Sequence, residues 1–163
     1  SPEALTWAQD RLRILSGLYG VLRPLDRIQP YRLEMGTRLA TRRGANLYDF
    51  WGGRISEQLN ADAAGHAHPV LINLASQEYF GAVDARALTL PVVTCHFREG
   101  SADGASRIVS FFAKKARGAM ARFAIEQRIE DPQALKTFDR DGYRFDGSTS
   151  TEFDWIFIRS GNS

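Results

Sequence analysis

The stretch from Phe111 to Arg128 most narrows what this chain can become, because its residues sort by type when set out at about 100° per residue. Phe112, Ala116, Ala119, Met120 and Phe123 fall on one side; Lys114, Arg117, Gly118, Ala121, Arg122 and Arg128 fall on the other, with Ile125 among them. A helix with such an apolar stripe has to be covered by a second layer of structure. Strand patterns for that layer lie on both sides of it. Thr89 to Arg98 and Ser106 to Phe111 flank the turn-forming run Glu99-Gly100-Ser101-Ala102-Asp103-Gly104, which predicts a hairpin. Pro69 to Leu74 is a continuous apolar run between turn formers and predicts a central strand buried on both faces. Near the end, Phe153, Trp155 and Phe157 alternate with Asp154, Ile156 and Ile158, which predicts a final strand.

The remaining segments fit around this frame. Ser1, Pro2 and Glu3 read as an N-cap, a first-turn proline and a first-turn acid, opening a helix that runs to about Arg11. A short strand is expected at Leu12 to Leu15. Gly17, Gly20, Pro24 and Pro30 then break up residues 16–36 into an ordered, irregular loop of the kind that carries function. Leu47, Phe50, Trp51, Ile55 and Leu59 recur at helical spacing, although Gly52 and Gly53 interrupt the pattern. Asp131 and Pro132 open a shorter helix. Strands and helices intermix without a regular βαβ rhythm, so the expected class is α+β, with a mixed, partly buried sheet and surrounding helices. Without repeats or linkers, residues 1–163 read as a single domain.

Cys95 is the only cysteine, which excludes an intrachain disulfide framework. No apolar run reaches the roughly 18 residues of a membrane span, and the first residues lack the pattern of a signal peptide. A cytoplasmic setting without membrane association is the expectation. The start at Ser1, without Met, suggests a piece of a longer protein.

Net charge is only +2, yet it is unevenly spread. Residues 11–43 hold eight arginines against Asp26 and Glu34, and residues 107–128 hold six cations against Glu126. If the two stretches share one surface, they form the footprint expected for a polyanion, foremost DNA. The expected phosphate contacts are Arg23, Arg32, Lys114, Lys115, Arg117 and Arg122. Small residues between the helical cations would let a phosphate backbone approach closely. Arginine beside Tyr19 and Tyr31 in a glycine-rich loop suits stacking on bases and forking to phosphates; both tyrosines also suit a core position.

Taken as whole strings, these stretches resemble the YaaA family of bacterial peroxide stress proteins. The resemblance is carried by Leu15-Ser16-Gly17-Leu18-Tyr19-Gly20-Val21-Leu22-Arg23-Pro24-Leu25-Asp26 and by Pro30-Tyr31-Arg32-Leu33-Glu34-Met35-Gly36. It continues through Ile72-Asn73-Leu74-Ala75-Ser76 with Glu78-Tyr79-Phe80, Phe112-Ala113-Lys114-Lys115-Ala116-Arg117-Gly118 with Arg122-Phe123, and Gly142-Tyr143-Arg144-Phe145. These strings keep their order over nearly the entire chain; Thr149 to Phe153 is only loosely similar. The resemblance implies a cytosolic protein that helps cells survive hydrogen peroxide by keeping intracellular iron, and hence iron-driven DNA damage, low. It also implies DNA binding through a positive cleft and a helix-hairpin-helix-like element, on an uncommon fold. Family members begin upstream of the segment that matches here.

An iron-linked role invites a search for metal ligands. His66 and His68 lie in a loop, and Cys95 and His96 are adjacent in a strand, pointing to opposite faces, so no bound metal and no cofactor is expected. An enzyme acting on a small anionic or nucleoside-like substrate stays open as a rival. Ser16, Tyr19, Tyr31 and Glu34 gather in one loop, and Ser76 and Glu78 follow a strand end, where sites form in sheets with parallel strands. Lys114 or Lys115 could supply an amine, but no nucleophile and base stand at a recognised spacing. A stress adaptor with a protein partner is the third class.

Overall fold

Every second side chain of Val92–Gly100 (strand β4) turns inward over its first half, burying Val93, Cys95 and Phe97, and this alternation organises half of the chain. The structure, a computed structural model, describes residues 1–160. It groups them into two compact units, residues 1–69 with 75–90, and residues 70–74 with 91 onward. Helices and a mixed five-stranded sheet make the fold α+β. Among the described residues, no helix is long and apolar enough to cross a membrane.

In the second unit the sheet runs β3 (Leu71–Asn73), β4, β7 (Asp154–Ser160), β6 (Arg144–Phe145), with β5 (Ser106–Arg107) paired to the far end of β4. The β3–β4 and β4–β7 pairs are parallel; β4–β5 and β6–β7 are antiparallel. The Pro69 to Leu74 run therefore forms a sheet edge, and the central places belong to β4 and β7. A continuous apolar run can be covered by other elements as well as by neighbouring strands, so apolarity alone does not assign a central position. Helix α5 (Ser110–Glu126) packs on β4 and buries Ala113, Ala116, Met120 and Phe123. The buried stripe is thus rotated from the expected one at its start. Phe112 is 39% exposed and lies beneath the Arg159 guanidinium, 4.7 Å from the ring centre. Asp131 accepts from the Gln133 N–H at 2.9 Å and caps a 3-10 helix, Pro132–Thr137, that adds Leu135, with Phe138 just beyond it, to the core.

The centre of that core is aromatic. Phe97 stacks on Phe157 at 5.4 Å and meets Phe138 and Tyr143 edge-on at 5.9 and 5.5 Å. Such pairs add to the area that each ring removes from water.

In the first unit, Ser1 caps helix α1 (Pro2–Gln9) by accepting from the Ala4 N–H at 3.1 Å. Strands β1 (Ile14–Ser16) and β2 (Gly20–Leu22) form a small antiparallel pair inside the region that reads as a broken loop. The expected helix over Leu47–Leu59 is two helices, α2 (Leu47–Trp51) and α3 (Arg54–Ala63). Gly52 breaks it by taking a positive φ of 52°. Helix α3 is fastened to residues 84–89 by Ser56 Oγ donating to the Asp84 carbonyl at 2.8 Å and Asn60 Nδ2 donating to the Ala87 carbonyl at 2.9 Å. Helix α4 (Gln77–Phe80) packs beside β1.

Replacing Phe157, fully buried among three rings, with alanine should cost about 3–5 kcal/mol, read by urea unfolding followed by far-ultraviolet circular dichroism. Alkali supplies a second test. Burial pushes the Cys95 thiol up from 9.0 to about 12, and burial, then the hydrogen bond to Glu99, pushes the Tyr143 phenol up from 10.0 to about 12. Above about pH 9 the unfolded chain gives up these protons before the folded one does, so stability falls with rising pH. The contribution should be complete below pH 9 and lost progressively towards about pH 12, as seen in melting temperature against pH; a flat profile over that range would contradict the buried placement of both groups.

Candidate functional site

Ser16 ends β1 with its side chain 1% exposed, so its hydroxyl has to find partners inside the protein. It accepts from the Tyr19 N–H at 3.0 Å and shares a short hydrogen bond with the Tyr31 hydroxyl. The two tyrosine rings meet edge-on at 5.5 Å, and Tyr19 Oη accepts from the Gln29 N–H at 3.0 Å. A Cβ at Gly17 would run into the Leu33 carbonyl oxygen, and one at Gly20 would lie 2.8 Å from the Trp51 ring. Trp51 Nε1 donates to the Gly17 carbonyl at 3.1 Å. The glycines are therefore where the loop and an indole come into close approach, and the loop is held by polar links more than by apolar burial.

The segment after β3 joins the same cluster in the first unit. Ser76 caps α4, accepting from the Tyr79 N–H at 3.4 Å. Glu78 Oε2 accepts from the Gly36 N–H at 2.9 Å, and its carbonyl accepts from Tyr48 Oη at 2.7 Å. Tyr79 was not singled out from the sequence as a site residue, yet it stands among these groups. Burial, then the Glu78 charge, pushes its phenol up, with smaller contributions from Tyr31 and Glu34; a backbone hydrogen bond from Met35 acts the other way. All six pocket candidates, Ser16, Tyr19, Tyr31, Glu34, Ser76 and Glu78, thus lie in one unit. Ser16 bonds to a phenol and a backbone N–H, and Ser76 and Glu78 spend their bonds on backbone groups.

A cleft of about 470 Å³ also belongs to the first unit, lined by Tyr19 and Arg23 together with Arg13, Trp51, Arg54, Gln58 and Asp62. Of this lining, only Tyr19 and Arg23 were candidate site residues in the sequence. Arg54, Gln58 and Asp62 recur at four-residue intervals on α3, a signal that could have placed them on one helical face.

On α5 of the second unit, Lys114, Lys115 and Arg122 are exposed, and Gly118 opens to solvent with nothing near its Cβ position. Arg117 is partly buried, and burial pulls its guanidinium down. Arg122 donates to Glu126 Oε1 at 2.6 Å, and Arg140 donates to the other oxygen at 3.0 Å; the Arg122 hydrogen bond, then that of Arg140, holds this carboxyl below its usual range. In the first unit, Arg23 pairs with Asp26 at 3.3 Å, while the Arg32 side chain is 91% exposed and touches Glu34 at 3.4 Å. Cys95 lies in the core, and the His96 ring is 2.8 Å from Asp154 Oδ1. Among the described residues no three metal-ligating side chains gather at one point.

The arrangement defines an α+β protein with arginine-lined polar surfaces. A family model described as Peroxide stress protein YaaA matches residues 1–149, and the chain belongs to that family. A UPF0246 protein of Caulobacter vibrioides is 69% identical over 156 residues, covering 96% of this chain and 61% of the relative. UPF0246 proteins of Phenylobacterium zucineum and Cereibacter sphaeroides are 62% and 60% identical, over 96% and 98% of this chain and 59% and 62% of theirs. The chain spans about three fifths of the length of these curated relatives.

Gly17→Ala should destabilise the protein by about 1–3 kcal/mol, because the added methyl has to displace the Leu33 backbone. Urea unfolding followed by tryptophan fluorescence would measure it, and a change below about 0.5 kcal/mol would show that the loop yields freely.

Proposed function

We propose that this chain binds duplex or structured DNA, largely without sequence preference, through the exposed cations of α5. The observation that supports this most directly is Lys114, Lys115 and Arg122 standing on one solvent-facing helix beside the open Gly118. Small and long side chains in that order suit close approach of a phosphate backbone and contacts around it, which give position and affinity and no base reading. Arg117 lends its charge to the same helix from a partly buried stem. Arg23 and Arg32 offer further cations in the first unit; each shares its charge with a neighbouring carboxylate.

The biological setting we propose is peroxide stress in the cytoplasm, with the protein helping to limit intracellular iron and oxidative DNA damage. Membership of a family described by peroxide stress supports the setting. The iron and DNA parts rest on the family resemblance and on the charged helix. An enzymatic reading has less support, since Ser16 has a phenol for a partner where an activated nucleophile needs a base.

Salt supplies the test. Each neutralised phosphate contributes about −0.9 to the slope of log affinity against log salt on duplex DNA. The Lys114→Ala, Lys115→Ala, Arg122→Ala variant should bind duplex DNA more weakly, with a slope shallower by up to about 3, while its melting temperature stays unchanged. Arg117 is left in place there because its buried stem supports the helix. An unaltered titration curve would reject α5 as the contact surface. The Arg23→Ala, Arg32→Ala variant measures the contribution of the first unit separately.

A further inference from the structure

Apart from Arg23, the cleft of the first unit combines features that the DNA reading does not use. Its volume of about 470 Å³ falls within the usual range for small-molecule sites. Two of its aromatic side chains are held before any ligand arrives. Trp51 is fixed by its hydrogen bond to the Gly17 carbonyl, by close approach to Gly20, and by the edge-on Phe50 ring at 4.9 Å. Tyr19 is fixed through the Gln29 N–H and the Tyr31 ring. Rigid aromatic surfaces of this kind take a flat ring at small cost in conformational entropy.

The charged groups divide into two sets. Arg13 is held at two of its nitrogens: Nε donates to Asp62 Oδ2 at 2.8 Å, and Nη1 donates to the carbonyls of Gln9 and Leu12 at 2.8 Å each. Gln58 Nε2 donates to the other Asp62 oxygen at 2.8 Å, so Arg13, Asp62 and Gln58 form one fixed polar network. Arg54 and Arg23 form the second set. Arg54 is exposed and, among the described residues, has no carboxylate in ion-pair reach. The Arg23 backbone N–H donates to Asp26 Oδ2 at 2.8 Å, but its guanidinium meets Asp26 only through long contacts of 3.3 Å, which leaves guanidinium N–H groups able to donate. The lining therefore offers an apolar ring surface, carboxylate and amide groups that pair with hydroxyls, and two arginines suited to a phosphate.

We propose that this cleft is a binding site for a nucleoside monophosphate, with its base against Trp51 and Tyr19, its sugar hydroxyls towards the Asp26 and Asp62 carboxylates, and its phosphate on Arg54 and Arg23. The site uses only residues of the first unit and does not rest on DNA binding by α5.

Isothermal titration of the protein with AMP, GMP, CMP and UMP, and with ribose 5-phosphate and inorganic phosphate as partial ligands, tests the assignment. At least one nucleotide should bind saturably and more tightly than either partial ligand. Arg54→Ala should weaken that binding about tenfold, the loss expected for one charge-assisted hydrogen bond, with melting temperature unchanged because no native partner is lost. Arg23→Ala should weaken it in the same direction. The α5 triple variant should bind the nucleotide as the native protein does, and Arg54→Ala should leave the salt slope on DNA unchanged, so the two readings fail separately. Absence of saturable binding up to millimolar nucleotide, equal affinity for inorganic phosphate, or undiminished binding by Arg54→Ala would each overturn the assignment.

Discussion

The parallel pairing of β4 with β7 is the constraint on which the second unit depends. It runs from Thr94 opposite Asp154 to Gly100 opposite Ser160, joining residues about sixty positions apart in the chain. A parallel pair needs a long crossover, and here the crossover contains β5, α5, the 3-10 turns and β6. The register brings Cys95 beside Trp155 and Phe97 beside Phe157, creating the apolar bed on which Ala116, Met120 and Phe123 of α5 are buried. The far end is closed by charge. Arg159 Nε donates to both oxygens of Glu99, at 2.6 and 2.9 Å, and Tyr143 Oη donates to the same carboxylate at 3.1 Å. Removing one partner of such an inward-facing pair leaves the other without compensation, so the end of the sheet is coupled to its aromatic centre.

The first unit is ordered by different means. Its loop from Ser16 to Gly36 buries few large side chains, and Tyr31, Leu25 and Ile28 are exposed. Order comes from hydrogen bonds that each join distant parts of the chain: Ser16 to Tyr31, Trp51 to Gly17, Glu78 to Gly36, Tyr48 to the Glu78 carbonyl. Polar links of this sort are directional. They hold a backbone in one shape at positions where apolar packing would tolerate several, which is why Gly17 and Gly20 are placed where a methyl group has no room.

How much of this was legible follows from how local each signal is. Helix α5 could be read because its period is sustained over five turns, and the β4–β5 hairpin because its turn lies between two strand patterns. The N-cap at Ser1 and the cap at Asp131 are likewise encoded within four residues. The break at Gly52 was visible as a doubt and invisible as a fact, since a glycine can sit in a helix or end it depending on its φ. The start of the buried stripe on α5 was misplaced because Phe112 is covered by Arg159, 47 residues further along, an interaction with no local trace. Pocket candidates fell in one unit because the loop and the segment after β3 each carried a dense polar string. The cleft stayed hidden because residues from 13 to 62 had to be folded together before Arg13, Trp51 and Asp62 could be neighbours.

Charge shows the same limit in another form. Counting ionisable residues makes 11–43 the more basic stretch, with eight arginines against two acids. In the fold, much of that charge is already answered. Arg13 is bound to Asp62, Arg23 to Asp26 and Arg32 to Glu34, while Arg11 and Arg43 lie over the rings of Trp7 and Phe50. The shorter basic run on α5 keeps Lys114 and Lys115 exposed and, among the described residues, free of ion pairs. An exposed ammonium that has not exchanged water for a carboxylate can neutralise a phosphate at full charge and release its counterion. Availability, more than formal charge, therefore decides which cations of either stretch can meet an anionic partner, and in residues 11–43 that leaves the exposed Arg27, Arg38 and Arg42. By that measure Lys114 and Lys115 are uncommitted, whereas Lys136 lies over the rings of Phe145 and Trp155.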